Sequence, residues 1–251
     1  MDRLGAGART RISELIREGT RPRGIFISST DPACTDIAGS AGFDFAVFDN
    51  EHAPLDVSAI AHHVRAAEAR GIIPMVRILE NSRFLIQKFL DLGCEGILVP
   101  HVDTAEDAAR AVAATRFAPH GVRGMCPASH AGRWSARHWA DFAPWSEGNA
   151  MIIPIIESRA AVENIEEILA VEGIDMVNFG PGDLSTDMQV ALDGPEIREA
   201  RARVLHAARA RDAHVLVAFN GDQPPAEGDA LLYAMELMIL RRELERLLAL
   251  S

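Results

Sequence analysis

The sequence has 251 residues, 48% of them hydrophobic, and a formal net charge of −11 at pH 7. This negative charge, together with the lack of a basic run, argues against binding to nucleic acids or to anionic membrane surfaces. The length and the apolar content fit one domain that spans residues 1–251.

The cysteine spacing and the N-terminal residues indicate the cellular compartment in which the protein works. Cys34, Cys94 and Cys126 show no C-x-x-C spacing, which indicates neither a disulfide framework nor a zinc site. No apolar run is long enough to cross a bilayer, and residues 1–20 carry charges throughout rather than a signal-peptide core. We therefore expect a cytoplasmic enzyme.

Short apolar runs alternate with longer amphipathic segments along the chain, which is the pattern of βα units and a parallel sheet. The predicted strands lie at residues 25–27, 45–48, 72–76, 96–100, 151–156, 174–177, 215–218 and 230–234. The predicted helices lie at residues 12–18, 31–41, 57–67, 84–92, 104–115, 158–170, 195–211 and 238–250. An irregular stretch at residues 117–148 is long enough to carry function.

Eight strands in this order predict an α/β fold of the (β/α)8 type, the TIM barrel, as a single domain. Only residues 221–229 separate the seventh and eighth strands, so we expect the seventh helix to be short or missing. The alternative architecture is an open, doubly wound parallel sheet.

Polar residues follow four of the predicted strands, at the barrel face where catalytic groups collect. They are Asp49, Glu51, His52, Arg77, Glu157 and Asp183. Glu157 ends the fifth strand, and Asp183 follows the sixth in a glycine-rich turn. Because neighbouring strands would bring both carboxylates to one edge, we expect a site for a hard divalent cation such as Mg²⁺ or Mn²⁺. Taken singly, such a carboxylate more often caps the helix that follows it than binds a metal.

Lys88 is the only lysine among the 25 basic residues. It lies in the predicted helix 84–92, which is a poor position for a Schiff base with a carbonyl substrate. The sequence therefore favours a metal over an imine as the means of activating such a substrate.

Seven short motifs occur in order between about residue 24 and residue 244. They are DNEHAP at 49–54, VR at 76–77, LDLG at 90–93, LVP at 98–100, GVRG at 121–124, IES at 156–158 and GPGDLS at 180–185. In this combination the sequence resembles the metal-dependent class II pyruvate aldolases of the citrate lyase beta-like superfamily. That family is typified by 4-hydroxy-2-oxoheptanedioate aldolase and 2-keto-3-deoxyrhamnonate aldolase.

The resemblance implies a metal site and a substrate site. Glu157 and Asp183 would hold the divalent ion, Mg²⁺, Mn²⁺ or Co²⁺, and the backbone amides of Gly182 and Asp183 would receive the substrate carboxylate. A metal held by only two side chains has room for the carboxylate and keto oxygens of a 2-oxo acid. The partners are then small molecules, a 2-oxo acid and an aldehyde.

The resemblance also implies the catalytic residues. Arg77 would face the keto or enolate oxygen, where it adds positive charge as negative charge develops. His52, oriented by Asp91, would be the base and act through a metal-bound water. The implied reaction is the reversible cleavage of a 4-hydroxy-2-oxo acid to pyruvate and an aldehyde.

Two features depart from the family's pattern. Ile155 occupies a position where members often carry a glutamine, two residues before the metal glutamate, and residues 125–137 differ from common members. The final helix resembles one that members exchange between subunits of trimers and hexamers, although packing on its own barrel fits the sequence equally well.

Two other functions also fit the sequence. One is an acyl-CoA lyase of the citramalyl-CoA or malyl-CoA type, which the scarcity of lysine and the negative charge disfavour. The other is a non-catalytic binder of 2-oxo acids, which would have no need of a base such as His52.

Overall fold

The structure, a computed structural model, describes residues 12–221 and 223–250. Eight parallel strands form a closed barrel in chain order. They are β1 (Arg23–Ile27), β2 (Phe45–Asp49), β3 (Ile73–Arg77), β4 (Gly96–Val99), β5 (Met151–Ile156), β6 (Met176–Phe179), β7 (His214–Phe219) and β8 (Ala230–Met235). β1 pairs with both β2 and β8, which closes the barrel. The predicted (β/α)8 barrel is confirmed, and the open doubly wound alternative is wrong.

One helix precedes the first strand, and the others follow strands around the outside of the barrel. Within the described residues they are α1 (Ile12–Arg17), α2 (Ala33–Ala41), α3 (Val57–Arg70), α4 (Arg83–Asp91), α5 (Ala105–Ala113), α6 (Trp139–Asn149), α7 (Arg159–Glu163), α8 (Ile165–Ile168), α9 (Pro181–Met188), α10 (Pro195–Ala210) and α11 (Glu236–Leu248). Asn164 divides the predicted helix 158–170 into α7 and α8. The described residues between β7 and β8 contain no helix, so the prediction of a short or missing seventh helix is confirmed.

Two sets of buried apolar side chains form the core. Alternate residues of β2 divide between them, because successive side chains of a strand point to opposite faces. Phe45 and Val47 belong to the set inside the barrel, to which α1 contributes Ile12. Ala46 and Phe48 belong to the set between the strands and the surrounding helices. Side chains therefore fill the interior of the barrel.

Residues 114–150, which we call the amino-end segment, connect α5 to β5. Because α5 runs back from the carboxyl ends of the strands, this segment lies at their amino ends. Its last third forms α6, so the prediction that residues 117–148 are irregular is wrong there. Phe117, Ala131 and Phe142 form an apolar cluster of their own within the segment.

The carboxyl ends of the strands form the opposite face, which we call the rim. In the part of the chain that the structure describes, no helix has the combination of length and apolar character that spanning a bilayer requires.

Candidate active site at the rim

Asp49 and Arg77 form the base of the site. They are the last residues of β2 and β3, and the register of the two strands places them side by side. Arg77 donates to both carboxylate oxygens of Asp49, from Nε and Nη2, at 2.9 Å each. The guanidinium also lies 4.8 Å from the ring centre of Phe26 on β1. This bidentate geometry fixes the direction of the Arg77 side chain.

The turn after β2 carries Glu51 and His52. Asp49 Oδ1 accepts hydrogen bonds from the backbone N–H groups of Glu51, at 3.2 Å, and His52, at 3.3 Å. Glu51 Oε2 lies 3.2 Å from Arg77 Nε, and His52 Nε2 lies 3.7 Å from the same oxygen. The His52 side chain is 57% exposed, whereas that of Glu51 is 9% exposed. His52 thus stands at the surface of the site and Glu51 within it.

Glu157 follows β5 and is buried. Its Oε1 accepts a hydrogen bond from the backbone N–H of His101 at 2.8 Å and lies 3.5 Å from His101 Nδ1. Burial raises the pKa of Glu157, and the charges of Glu51 and Asp183 act in the same direction, whereas His101 opposes them. Glu157 therefore lies in a region of negative charge to which Asp183 contributes.

Asp183 lies in the first turn of α9, together with Gly182. The backbone N–H groups of a helix's first turn have no acceptor within the helix and attract anions. Gly180 precedes the helix, and a side chain there would lie 2.9 Å from Ile155 and 3.0 Å from Glu157. Glycine therefore allows the turn that carries Asp183 to approach Glu157 closely.

His101 is a member of the site that the sequence analysis missed. It directly follows Pro100 after β4 and has a φ of 53°, which is uncommon for a residue other than glycine. This backbone conformation accompanies the hydrogen bond from its N–H group to Glu157. The only signal in the sequence is its position beyond a strand, because a backbone donor does not depend on the identity of the side chain.

Asp91 lies at the end of α4, which runs from the carboxyl end of β3 to the amino end of β4. It is therefore at the opposite end of the barrel from His52. Its Oδ1 accepts a hydrogen bond of 2.8 Å from Arg123 Nη2, and Arg123 also donates to Ser146 Oγ at 2.8 Å. Burial raises the pKa of Asp91, although the hydrogen bond from Arg123 opposes the shift. Within the described chain no hydrogen bond joins Asp91 to His52, so the predicted contact is wrong for a single chain.

Lys88 also lies on α4, on the outer wall of the barrel. It lines a groove of about 380 Å³ with Phe84, Trp134 and others, outside the barrel and apart from the rim groups. Its position agrees with the expectation that it forms no Schiff base at the site.

Comparison with known proteins adds a second line of observation to this geometry. The family described as HpcH/HpaI aldolase/citrate lyase matches residues 23–228. The chain belongs to this family. Members of the HpcH/HpaI family are also found among solved structures: the HpcH/HpaI aldolase of Desulfitobacterium hafniense has a TM-score of 0.88 and 27% identity, and 96% of each chain is covered.

Two curated proteins show the similarity to this chain in sequence. The hydroxypyruvate/pyruvate aldolase of Deinococcus radiodurans is 41% identical over 172 residues, which are 68% of this chain and 61% of that protein. The 2-keto-3-deoxy-L-rhamnonate aldolase of Salmonella gallinarum is 38% identical over 176 residues, which are 70% of this chain and 65% of that protein. The matched part therefore spans less than two thirds of the length of either relative.

Proposed function

We propose that the protein is a class II aldolase that cleaves 4-hydroxy-2-oxo acids reversibly to pyruvate and an aldehyde. The observation that carries this proposal is the buried Glu157, which lies close to Gly180 in the turn that carries Asp183, on the same rim as Arg77. The aldolase names of the similar proteins from Deinococcus radiodurans and Salmonella gallinarum support it.

The donor set fits a divalent metal held by Glu157 and Asp183. Among the described residues, no three or more His, Cys, Asp or Glu side chains converge as metal ligands, so two carboxylates would be the protein's share. The raised pKa of Glu157 reflects burial and neighbouring negative charge, which a cation would offset. Carboxylate oxygens suit Mg²⁺, Mn²⁺ or Co²⁺. When bound, such an ion supplies Lewis-acid stabilisation of negative charge on a substrate oxygen.

The other residues of the chain divide the remaining work. The first-turn amides of Gly182 and Asp183 bind the carboxylate of the 2-oxo acid. His52 takes the proton from the 4-hydroxyl group as the carbon–carbon bond breaks, and the aldehyde leaves. The electron pair of that bond moves onto the pyruvyl fragment as an enolate, whose oxygen faces Arg77. Return of a proton to the enolate carbon gives pyruvate.

We also propose that the protein is a homo-oligomer, a trimer or a hexamer. α11 has no buried residue, and five of its leucines are between 46% and 75% exposed: Leu237, Leu240, Leu244, Leu247 and Leu248. Apolar helix faces of this kind are typical of surfaces that another chain covers. Asp91 orients His52 in this proposal only if it comes from a neighbouring copy, because the two residues of one chain lie at opposite ends of the barrel.

Pyruvate release tests the aldolase proposal. The protein is stripped of metal with a chelator, and a panel of 4-hydroxy-2-oxo acids is followed with a lactate dehydrogenase assay. We expect no pyruvate in the chelator, and turnover after addition of Mg²⁺, Mn²⁺ or Co²⁺. Turnover that is equal with and without the chelator would exclude the metal mechanism, and no turnover with any metal would exclude the aldolase.

Mixing two inactive variants tests the role of Asp91. His52→Ala and Asp91→Ala chains are unfolded together, refolded and assayed. If one copy supplies Asp91 to another, mixed assemblies contain some intact sites and regain part of the activity. Refolded mixtures that stay as inactive as either variant would exclude sharing of the site. Light scattering on the same samples measures the number of chains.

The cytoplasmic location and the single domain over residues 1–251 stay predictions.

A further inference from the structure

Glu51 lies next to both Arg77, which faces the enolate oxygen in the proposed mechanism, and His52, the proposed base. A single carboxylate oxygen, Oε2, lies 3.2 Å from Arg77 Nε and 3.7 Å from His52 Nε2. The Glu51 side chain is 9% exposed, so the carboxylate is shielded from bulk water. One largely shielded carboxylate oxygen therefore lies between the guanidinium and the imidazole.

The turn that carries Glu51 is held in place by hydrogen bonds to Asp49. Asp49 is fully buried and accepts the N–H groups of both Glu51 and His52 while it holds Arg77 with two hydrogen bonds. The Glu51 carboxylate also interacts with His101 and Glu157 at the neighbouring strand ends. Its position is thus set by the barrel framework, and Arg77 is the nearest fixed positive charge.

His52 has a much freer environment than Glu51. Its side chain is 57% exposed, and Glu51 is its only charged side-chain partner among the described residues. An exposed imidazole without such a partner samples several rotamers, so it spends less time in an orientation that can accept a proton. A fixed carboxylate beside Nε2 restricts the ring and stabilises the imidazolium that forms when His52 takes a proton.

We propose that Glu51 is a positioning residue, which is held beside Arg77 and keeps the His52 imidazole in its reactive arrangement. This inference rests on the proposed aldolase function and adds a residue to it. Glu51 does not itself transfer the proton; it acts through His52. It follows that loss of the Glu51 charge lowers the rate of proton transfer and leaves the binding of substrate and metal nearly unchanged.

Glu51→Gln is the first test, because glutamine keeps the size of the side chain and removes its charge. We expect kcat for pyruvate release, and the rate of exchange of pyruvate methyl protons with deuterated buffer, to fall about 100-fold each. KM and the Mn²⁺ affinity measured by calorimetry should stay within about threefold of wild type. Glu80→Gln is the matched control, since Glu80 is an exposed glutamate at the same end of the barrel, and it should behave as wild type.

A double-variant cycle with His52→Ala separates positioning from a general structural role. If Glu51 acts through His52, Glu51→Gln should cost less than about threefold in the His52→Ala background. Independent losses that multiply in the double variant would overturn the proposal, as would proton exchange in Glu51→Gln within about threefold of wild type. A melting temperature of Glu51→Gln equal to that of wild type, measured by circular dichroism, confirms that the rates compare folded proteins.

The proton-exchange assay also distinguishes failure of the inference from failure of the proposed function. It needs pyruvate and metal but no aldehyde. Wild-type protein that exchanges the methyl protons but cleaves none of the 4-hydroxy-2-oxo acids would refute the assigned reaction, while the exchange rates still measure the role of Glu51. Wild-type protein without exchange or cleavage would refute both.

Discussion

Asp91 and Glu157, at opposite ends of the barrel, differ in their charged partners. At the amino end, Asp91 accepts a hydrogen bond from Arg123, whose side chain is fully buried, so the charge is paired. At the rim, Glu157 is buried beside the charges of Asp183 and Glu51, and among the described residues it pairs with no arginine or lysine. A buried carboxylate without an arginine or lysine partner is costly and occurs mainly where function requires it. Asp91 therefore has a charge partner within its own chain, whereas Glu157 is available to a ligand.

The largest expected effect is at Glu157. Glu157→Gln should lower turnover about 1000-fold or more, because a lost metal removes several kcal/mol of charge stabilisation. Calorimetry with Mn²⁺ should show no binding, while the urea midpoint of the metal-free protein stays the same or rises, since a buried charge is gone. Glu106→Gln, at an exposed position on α5, is the control. Full Mn²⁺ affinity in Glu157→Gln would mean that the metal lies elsewhere.

Arg77→Lys should reduce kcat about 100-fold while Mn²⁺ affinity is kept, because lysine preserves the charge but not the bidentate geometry. Steady-state kinetics together with calorimetry separate these two outcomes. A variant that loses metal binding as well would show that Arg77 supports the carboxylates rather than the substrate.

Variants at Asp91 and its partner Arg123 should change the stability of the protein and leave its metal affinity unchanged. Arg123→Met leaves Asp91 without its partner, and we expect the free energy of unfolding to fall by about 2 kcal/mol, since Asp91 retains some solvent contact. Urea denaturation measures this loss. The second variant, Asp91→Asn with Arg123→Met, should recover part of it. Mn²⁺ affinity should not change in either, and a change would contradict the separation of the two ends.

The smallest expected effect is on the pH dependence of stability. Glu51, Asp91 and Glu157 have a raised pKa in the folded protein, so the folded state holds these protons more tightly than the unfolded state. In chelator, the free energy of unfolding should therefore decrease as pH rises from the ordinary values, 3.8 for Asp and 4.5 for Glu, through the raised ones. Glu157→Gln should flatten this slope. An unchanged slope would contradict the assignment of Glu157.

The sequence was sufficient to predict the barrel and most of the rim. The strands are continuous apolar runs, and residues such as Asp49, Arg77 and Glu157 follow them directly, so their common edge was predictable. α6 was missed because its apolar pattern is weak and Pro144 lies within it. The contact between Glu157 and His101 was not predictable, because the donor is a backbone N–H group.

The position of Asp91 shows a different limit. A sequence motif can suggest the role of a residue without showing where the residue lies in the fold. Asp91 lies at the amino end of the barrel because it ends α4, which leads into β4. Its partner Arg123 comes from the amino-end segment, whose conformation depends on aromatic packing and not on helical or strand periodicity. The partner of Asp91 is therefore determined by the tertiary structure and could not be predicted from the local sequence pattern.

The separate apolar cluster of the amino-end segment has a consequence for local unfolding. Phe117, Ala131 and Phe142 pack with Trp139 and Trp145 rather than with the two sets of the barrel core. A region with its own small core opens cooperatively at a lower free energy than the strands. Native-state hydrogen exchange should therefore show the amides of α6 exchanging together, and faster than those of β2 and β3, so that this segment detaches while the barrel is still intact.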